Sequence, residues 1–245
     1  MANHQLLDNI AHKDLRVRMQ FGAAFGDNVS TVIAFPTEFA DLQREYPIFF
    51  RRDPNGDYFA VALLGFDKDE NLFLEGDRWD AWYLPGMIAR GPFLVGFQER
   101  EEGGELRREP IIHVDMDHPR VSQTEGERVF LALGGHSPYL QRVNRVLSGL
   151  NDGFALIKPM FAAFQEHDLI APVDVEVKIT GAEPVNLRGF HSIDRDKLKA
   201  LGGEPLLKLH RSGFLQAAYL VLASQASLQS LIDRKVRKLA QASAA

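Results

Sequence analysis

The sequence predicts an α+β fold, with a β-rich N-terminal half packed with a helix-rich C-terminal half that contains a short β-hairpin. Up to about residue 130, apolar side chains alternate with polar ones over short segments, which is the period of a half-buried strand. From Ser137 onward they recur every three or four residues, which is the period of a helix. Strands and helices do not alternate regularly, so a parallel βαβ arrangement is not expected.

The N-terminal half contains the clearest predicted strands. They are short alternating, β-branched or aromatic segments at residues 13–19, 31–35, 46–50, 58–66, 93–97 and 111–114. The segment Asp53-Pro54-Asn55-Gly56 is a strong turn signal and predicts a hairpin between two of these strands. A short helix is expected from Pro36, since proline is tolerated in the first helical turn. The charged, glycine-rich residues 100–108 are expected to form a solvated loop or hairpin tip.

The C-terminal half predicts helices and one further hairpin. A helix is expected from about Pro138, and Pro159 within the continuing apolar pattern predicts a kink or a break, because proline lacks an amide hydrogen. Residues 174–180 and 185–193 each read as strands, and we expect them to pair across Gly181.

The last third of the chain is expected to be mainly helical. Asp194 should cap a helix by accepting a hydrogen bond from an unpaired backbone N–H group. A short helix is expected over residues 205–210 and a final one over residues 215–239. No long linker is visible, so the sequence predicts a single domain over residues 1–245, with a possible internal boundary near residues 131–137.

Composition excludes several classes of function. The net charge of -5 leaves no overall positive field with which to hold a nucleic acid. The absence of cysteine excludes disulfides, thiol nucleophiles and cysteine-ligated metals. No apolar run approaches the roughly 18–20 residues of a membrane span, and the first residues lack the basic and apolar regions of a signal peptide. We therefore expect a cytoplasmic protein.

The final predicted helix carries four clustered cations, Arg234, Lys235, Arg237 and Lys238. Positive side chains are favourable near a helix C-terminus, because they complement the helix dipole there. We expect these cations to serve that purpose, with a docking patch as the alternative.

The densest group of aromatic residues is the best candidate for a binding surface. Trp79, Trp82, Tyr83 and Phe93 lie close together in the sequence, with Arg90 among them. Aromatic faces with a cationic rim suit a peptide, a sugar, an indole-like ligand or a protein partner. Packing in the core is the alternative explanation, because aromatic side chains at this density are also typical of a protein interior.

A metal site is a second candidate. His113 and Asp115 are two residues apart in a predicted strand, so their side chains should point to the same face. His191 would complete a set of two histidines and one carboxylate of the kind that binds non-haem iron. Polar residues of an edge strand are the alternative explanation. No other cofactor is indicated, since the phosphate-binding glycine motifs are missing, and no nucleophile motif is visible.

Several blocks, spaced over nearly the whole chain, resemble the SapC family of soluble bacterial proteins. These blocks are Tyr46-Pro47-Ile48-Phe49-Phe50, Asn71-Leu72-Phe73 with Trp79 and Tyr83-Leu84-Pro85, Glu125-Gly126 with Phe130, and Gly189-Phe190 to Asp194 with Lys197-Leu198. Each block alone is weak evidence for the family, but the order and spacing of the blocks together make the resemblance specific.

The resemblance implies a role but no reaction. Genes of this family often lie beside those of TonB-dependent outer-membrane transporters and of proteins similar to tryptophan halogenases. This gene neighbourhood implies an accessory protein in nutrient uptake or in a tailoring system of the tryptophan-halogenase type. No catalytic residue is established for the family, so none can be assigned here. Our leading hypothesis is a non-enzymatic binding or accessory protein. The alternatives are a non-haem iron and 2-oxoglutarate oxygenase and, from the name of the family, a structural protein associated with the surface layer.

Overall fold

A computed structural model describes residues 3–102, 105–173, 176–180, 184–186 and 188–244, with side chains described outside 100–108 and 244. The chain forms two compact units. The first unit comprises Met1–Asp27, Gly76–Arg78 and Gly86–Asn151, and the second comprises Asn28–Glu75, Trp79–Pro85 and Asp152–Ala245. Neither unit begins or ends within residues 131–137, and a single domain over the whole chain stays a prediction.

The described strands pair antiparallel, and the long helices follow residue 137, so the predicted α+β class is confirmed. The strands are β1 (His4–Leu6), β2 (Arg16–Val17), β3 (Thr31–Ala34), β4 (Ile48–Arg52), β5 (Tyr58–Leu63), β6 (Leu74–Glu75), β7 (Arg78–Trp79), β8 (Phe93–Glu102), β9 (Glu105–Asp115), β10 (Val121–Ser122), β11 (Glu127–Arg128), β12 (Ile170–Val173), β13 (Glu176–Val177), β14 (Val185–Asn186) and β15 (Phe190–Ile193). The α-helices are α1 (Phe39–Leu42), α2 (Gly86–Ala89), α3 (Pro138–Glu166), α4 (Arg195–Ala200), α5 (Gly203–Arg211), α6 (Phe214–Ser224) and α7 (Ser227–Ala244).

The first unit is built on the long β8–β9 hairpin. Its main sheet has the order β1-β9-β8, and a smaller sheet has the order β10-β2-β11. Phe93 and Val114 of the hairpin are fully buried and pack in one core with Leu140 and Leu147 of α3, and the partly buried Val95 and Ile112 pack against this core. The charged segment predicted to be a loop or hairpin tip does turn the chain, but its residues stay paired as far as Glu102 and Glu105. Strand pairing therefore extends further than hydropathy indicates.

A buried ion pair joins two distant segments of the first unit. Arg120 donates from Nη2 to Oδ2 of Asp27 at 2.5 Å, and both residues are almost inaccessible, at 6% and 2% exposed. The guanidinium also donates to the carbonyl oxygen of Gln20 and lies against the rings of Phe21 and Phe25, 5.2 and 5.1 Å from their centroids. Because both charges are buried, each depends on the other for compensation.

The second unit is built around a sheet of order β12-β15-β4-β5-β3. The predicted β4–β5 hairpin is confirmed, with Arg52 opposite Tyr58 and the carboxylate of Asp53 accepting from two amides of the turn. The β15 strand joins this sheet where His191 pairs with Phe50. Strands more than one hundred residues apart therefore share one sheet, which no local pattern indicates.

The C-terminal hairpin differs in extent from its prediction. Its base is formed by β12 and β15, which pair from Ile170 and Ile193. Further out, β13 and β14 pair through Val177 and Val185. The β12 strand was missed because it follows α3 after only a short turn, and the predicted turn residue Gly181 lies outside the described residues.

Two helix predictions are corrected. α3 continues through Pro159, so the predicted break does not occur, and the alternative of a kink at this residue stays a prediction. Proline removes one backbone hydrogen bond, but the buried side chains of Met160, Phe161 and Phe164 follow it directly and stabilise the helix by packing. Phe161, for example, meets the ring of Phe50 edge-on at 4.9 Å.

The final predicted helix is divided into α6 and α7 at residues 225–226. Polar side chains at the division bond to other elements: Ser224 accepts from the amide of Ile48, and Gln225 donates to Ser192. The apolar stripe runs across the division, which is why periodicity alone predicted one helix. The Asp194 cap, by contrast, is confirmed, since its carboxylate accepts from two amides of α4. Within the described residues, every helix is too short or too polar to span a lipid bilayer.

Candidate functional site

The aromatic segment of the second unit contains a completely exposed tryptophan. We call residues 79–85 the Trp82 loop. Trp82 is 100% exposed, whereas Trp79 and Tyr83 on either side of it are half-buried. A single exposed apolar side chain is common on protein surfaces, so the significance of Trp82 depends on how its backbone is held.

Glu45 positions the backbone beneath the exposed indole. Its carboxylate accepts from the amide of Trp82, at 3.1 and 3.0 Å from its two oxygens, and from the amide of Tyr83 at 3.0 Å. Glu45 follows α1 in a turn, and its own amide donates to the carbonyl oxygen of Leu42. The backbone from which the carboxylate extends is therefore held in place. Hydrogen bonds to a charged acceptor are stronger than those between neutral groups. Two successive amides are therefore ordered by one side chain.

Tyr46 holds both ends of the same loop. Its hydroxyl group donates to the carbonyl oxygen of Tyr83 at 2.5 Å and accepts from Nε1 of Trp79 at 2.8 Å. The indole of Trp79 also stacks on the ring of Phe73, with 6.2 Å between centroids and planes 10° apart. Trp79 therefore has a structural role, since its polar atom is bonded and its ring is packed.

The side chain of Tyr83 points into the unit. Its hydroxyl group donates at 2.8 Å to the carboxylate of Glu38, a residue only 6% exposed. Burial raises the pKa of Tyr83 above its ordinary value, and the nearby Glu38 charge raises it further. Burial likewise raises the pKa of Tyr46. Both phenols therefore stay protonated at neutral pH and serve as hydrogen-bond donors rather than as bases.

Arg234 of α7 holds the start of the loop. It forms an ion pair with the carboxylate of Asp80 and donates to the carbonyl oxygen of the same residue at 2.8 Å. Its guanidinium lies 4.5 Å from the centroid of the Phe73 ring, a favourable cation–π distance.

The neighbouring Lys235 is also an internal residue. Its amino group donates to Asp67 at 2.5 Å and to Glu70 at 2.8 Å. Burial lowers its pKa, but the two carboxylates outweigh burial, and the net pKa is raised. The expectation that this cation and Arg234 serve only the end of a helix is therefore wrong. Arg234 joins α7 to the Trp82 loop, and Lys235 joins it to the segment before that loop.

The arrangement is suited to binding rather than to acid–base chemistry. The backbone of the Trp82 loop is ordered at several points, so little backbone conformational entropy remains to be lost when Trp82 meets a partner. A tryptophan buries roughly 150–250 Å² on contact, which corresponds to a gross gain of about 4–6 kcal/mol before the costs of association. An exposed indole on an ordered backbone is the kind of residue that dominates protein interfaces.

Two other residues of the predicted binding surface lie in the first unit. Phe93 is fully buried against Tyr139, with 6.1 Å between the ring centroids, and has no surface to offer a ligand. Arg90 is half-buried and donates to the carbonyl oxygen of Phe93 at 2.8 Å. Burial lowers the pKa of Arg90, and the charge of Asp115 partly opposes that effect. Neither residue belongs to the Trp82 loop.

The predicted metal ligands are divided between the units. His113 and Asp115 lie on β9 and share a face of that strand, as alternation requires. His191 lies on β15 of the second unit, with its ring edge-on to Tyr58 at 5.2 Å. Burial lowers the pKa of His191, and the charge of Arg52 lowers it further. In the part of the chain that the structure describes, no three histidine or acidic side chains are grouped closely enough to hold a metal ion.

The residues that build the Trp82 loop were not identified from the sequence. Glu38, Glu45 and Tyr46 lie 33 or more residues before their partners, and Arg234 lies 154 residues after Asp80. An isolated glutamate or arginine carries no local pattern, so no signal in a single sequence marks these contacts. The aromatic cluster was the one local sign of the site.

Comparison with known protein families gives one match. The model of the family described as SapC matches residues 7–231. Comparisons with curated proteins and with solved structures gave no match. The matched segment includes the whole Trp82 loop and every residue that positions it except Arg234 and Lys235.

Proposed function

The chain belongs to the SapC family, and on that basis we propose that it is a non-enzymatic accessory protein that binds a protein partner through the Trp82 loop. The partner would be a component of an uptake or tailoring system of the kind beside which genes of this family lie. The observation that carries the proposal is the fully exposed indole of Trp82 above a backbone ordered by Glu45 and Tyr46.

The shape of the surface favours a protein over a small ligand. Small molecules bind in concave sites that cover most of their surface. Three hollows in the described residues are lined by side chains other than those of the Trp82 loop. A fully exposed indole such as that of Trp82 instead suits a pocket on another protein, into which it inserts as an anchor.

The test is site-specific cross-linking in the cell of origin. The photoreactive residue p-benzoylphenylalanine replaces Trp82 in one strain, and in a matched strain it replaces Leu133, a fully exposed side chain of the first unit. We expect one dominant protein adduct from position 82 that is missing from position 133. Mass spectrometry then identifies it, and a transporter or tailoring component is the expected partner.

Purified proteins then test the energetics. Trp82→Ala should weaken binding of the identified partner about 30-fold or more, the effect of losing an interface residue worth at least 2 kcal/mol. Leu133→Ala should leave the affinity unchanged. The proposal is rejected if both positions give the same adducts. An adduct only with a second copy of the chain would instead indicate self-association, as a surface-layer protein requires.

A further inference from the structure

Two carboxylates flank the exposed indole of the Trp82 loop. Both oxygens of Glu45 lie within 3.1 Å of the backbone nitrogen of Trp82. Asp41 lies one helical turn before Glu45, since the amides of Gln43 and Tyr46 donate to carbonyl oxygens four residues earlier. Side chains four residues apart lie on the same side of a helical turn. Asp41 therefore adds a second carboxylate to the one beneath the indole.

The charge of Asp41 also acts on the loop itself. Burial raises the pKa of Tyr83 most, and the charges of Glu38 and Asp41 raise it further. Electrostatic interactions weaken with distance and are strongly reduced by water. Asp41 is itself exposed, so its effect on Tyr83 indicates that it lies close to the loop.

The chain compensates these two carboxylates only in part. Asp80 of the loop is paired with Arg234. Within the part of the chain that the structure describes, neither Asp41 nor Glu45 forms an ion pair, although Arg44 lies between them in the sequence. An acidic surface beside an apolar anchor is complementary to a partner with positive charge at the corresponding position.

We propose that the pocket of the partner that receives Trp82 carries a cationic side chain, an arginine or a lysine, which lies against the indole and pairs with Asp41 and Glu45. This inference rests on the proposed function and specifies the chemistry of the partner. Tryptophan is the aromatic side chain that attracts a cation most strongly, through the face of its ring. Glu45 uses its oxygens on two amides, but a carboxylate has about four acceptor positions, so it can also accept from a cation.

The first test uses the strain that carries p-benzoylphenylalanine at position 82. Asp41→Arg is added to this strain, and Asp57→Arg is added in a matched strain. Asp57 is an exposed residue of the β4–β5 turn in the same unit, so both substitutions change the net charge equally. We expect Asp41→Arg to lower the yield of the partner adduct about tenfold or more, because it places two cations together, and Asp57→Arg to leave it unchanged.

The outcomes of this test separate the two proposals. If position 82 gives no partner adduct even without a second substitution, the proposed function fails, and this inference fails with it. If the adduct forms with equal yield in both charge-reversed strains, the proposed function stands and the cationic contact is overturned. An equal fall in both strains would reflect net charge alone and would also overturn the contact.

A charge exchange between purified proteins tests the contact directly. Mass spectrometry locates the partner residue that is cross-linked to position 82. Each arginine or lysine near that residue is then replaced by glutamate, one at a time. One of these partner variants should bind the wild-type chain more weakly and should bind Asp41→Arg more tightly than the unaltered partner does. Circular dichroism establishes that each variant is folded. The proposal is overturned if no exchange restores affinity for Asp41→Arg.

Discussion

Replacing Glu45 with alanine should release the backbone of the Trp82 loop. The carboxylate accepts from the amides of Trp82 and Tyr83. A hydrogen bond to a charged group contributes about 1.5–3 kcal/mol when it is well buried. Glu45 is only half-buried, so we take about 1 kcal/mol for each amide and about 2 kcal/mol for local opening of the loop.

Amide hydrogen exchange measures this opening directly. A loss of about 2 kcal/mol corresponds to roughly 30-fold faster exchange at the two amides. The exchange of the β4–β5 hairpin should not change, because its bonds do not involve Glu45. Asp41→Ala is the matched control, since Asp41 lies on α1 one turn earlier and is not an acceptor for either amide.

Two results would refute this reasoning. Exchange at residues 82 and 83 that rises less than threefold in Glu45→Ala would mean that other contacts alone order the loop. An equal rise in Asp41→Ala would mean that loss of a nearby negative charge, rather than of the two hydrogen bonds, is responsible. In either case the low entropic cost assigned to binding at Trp82 would lose its physical basis.

Three further predictions concern ionisable groups that are buried or half-buried. Arg120→Met should lower the free energy of unfolding in urea by about 3 kcal/mol, because the charge of Asp27 remains buried without its partner. Adding Asp27→Leu should restore much of that loss. Additive effects of the two substitutions would contradict the pairing. Lys235→Met should lower the free energy of unfolding by about 2 kcal/mol, because Glu70 keeps only the more distant Lys238 as an ion-pair partner, and should lower Tm by about 4–8 °C. An unchanged Tm would show the pair to be neutral. Burial, followed by the charge of Arg120, lowers the pKa of His118 below its ordinary 6.5. The folded state then binds fewer protons than the unfolded state, so stability should fall as pH drops below about 6.5, and His118→Asn should show a smaller fall between pH 7.5 and 5.5.

Features that depend on neighbouring residues followed from the sequence. The β4–β5 hairpin was predicted because proline, asparagine and glycine restrict the turn between two apolar strands. The cap at Asp194 was predicted because the acceptor and the amides it binds lie within three residues. The start of α3 followed from the helical spacing of its apolar face.

Features that depend on residues distant in the sequence could not be predicted from it. Pairing of β15 with β4, the division between α6 and α7, and the internal positions of Arg234 and Lys235 all result from contacts across more than one hundred residues. A lysine or arginine has the same local pattern whether it faces water or a buried carboxylate, and only packing distinguishes the two.

The Trp82 loop likewise has some features that the sequence determines and others that only the tertiary structure determines. Sequence alone determined that aromatic side chains concentrate there and that the chain resembles the SapC family. It could not determine that Trp79 is packed against Phe73 while Trp82 is fully exposed. Burial depends on what the rest of the chain places beside each ring. Only the tertiary structure, through Glu45 and Tyr46, decides which indole is available to a partner.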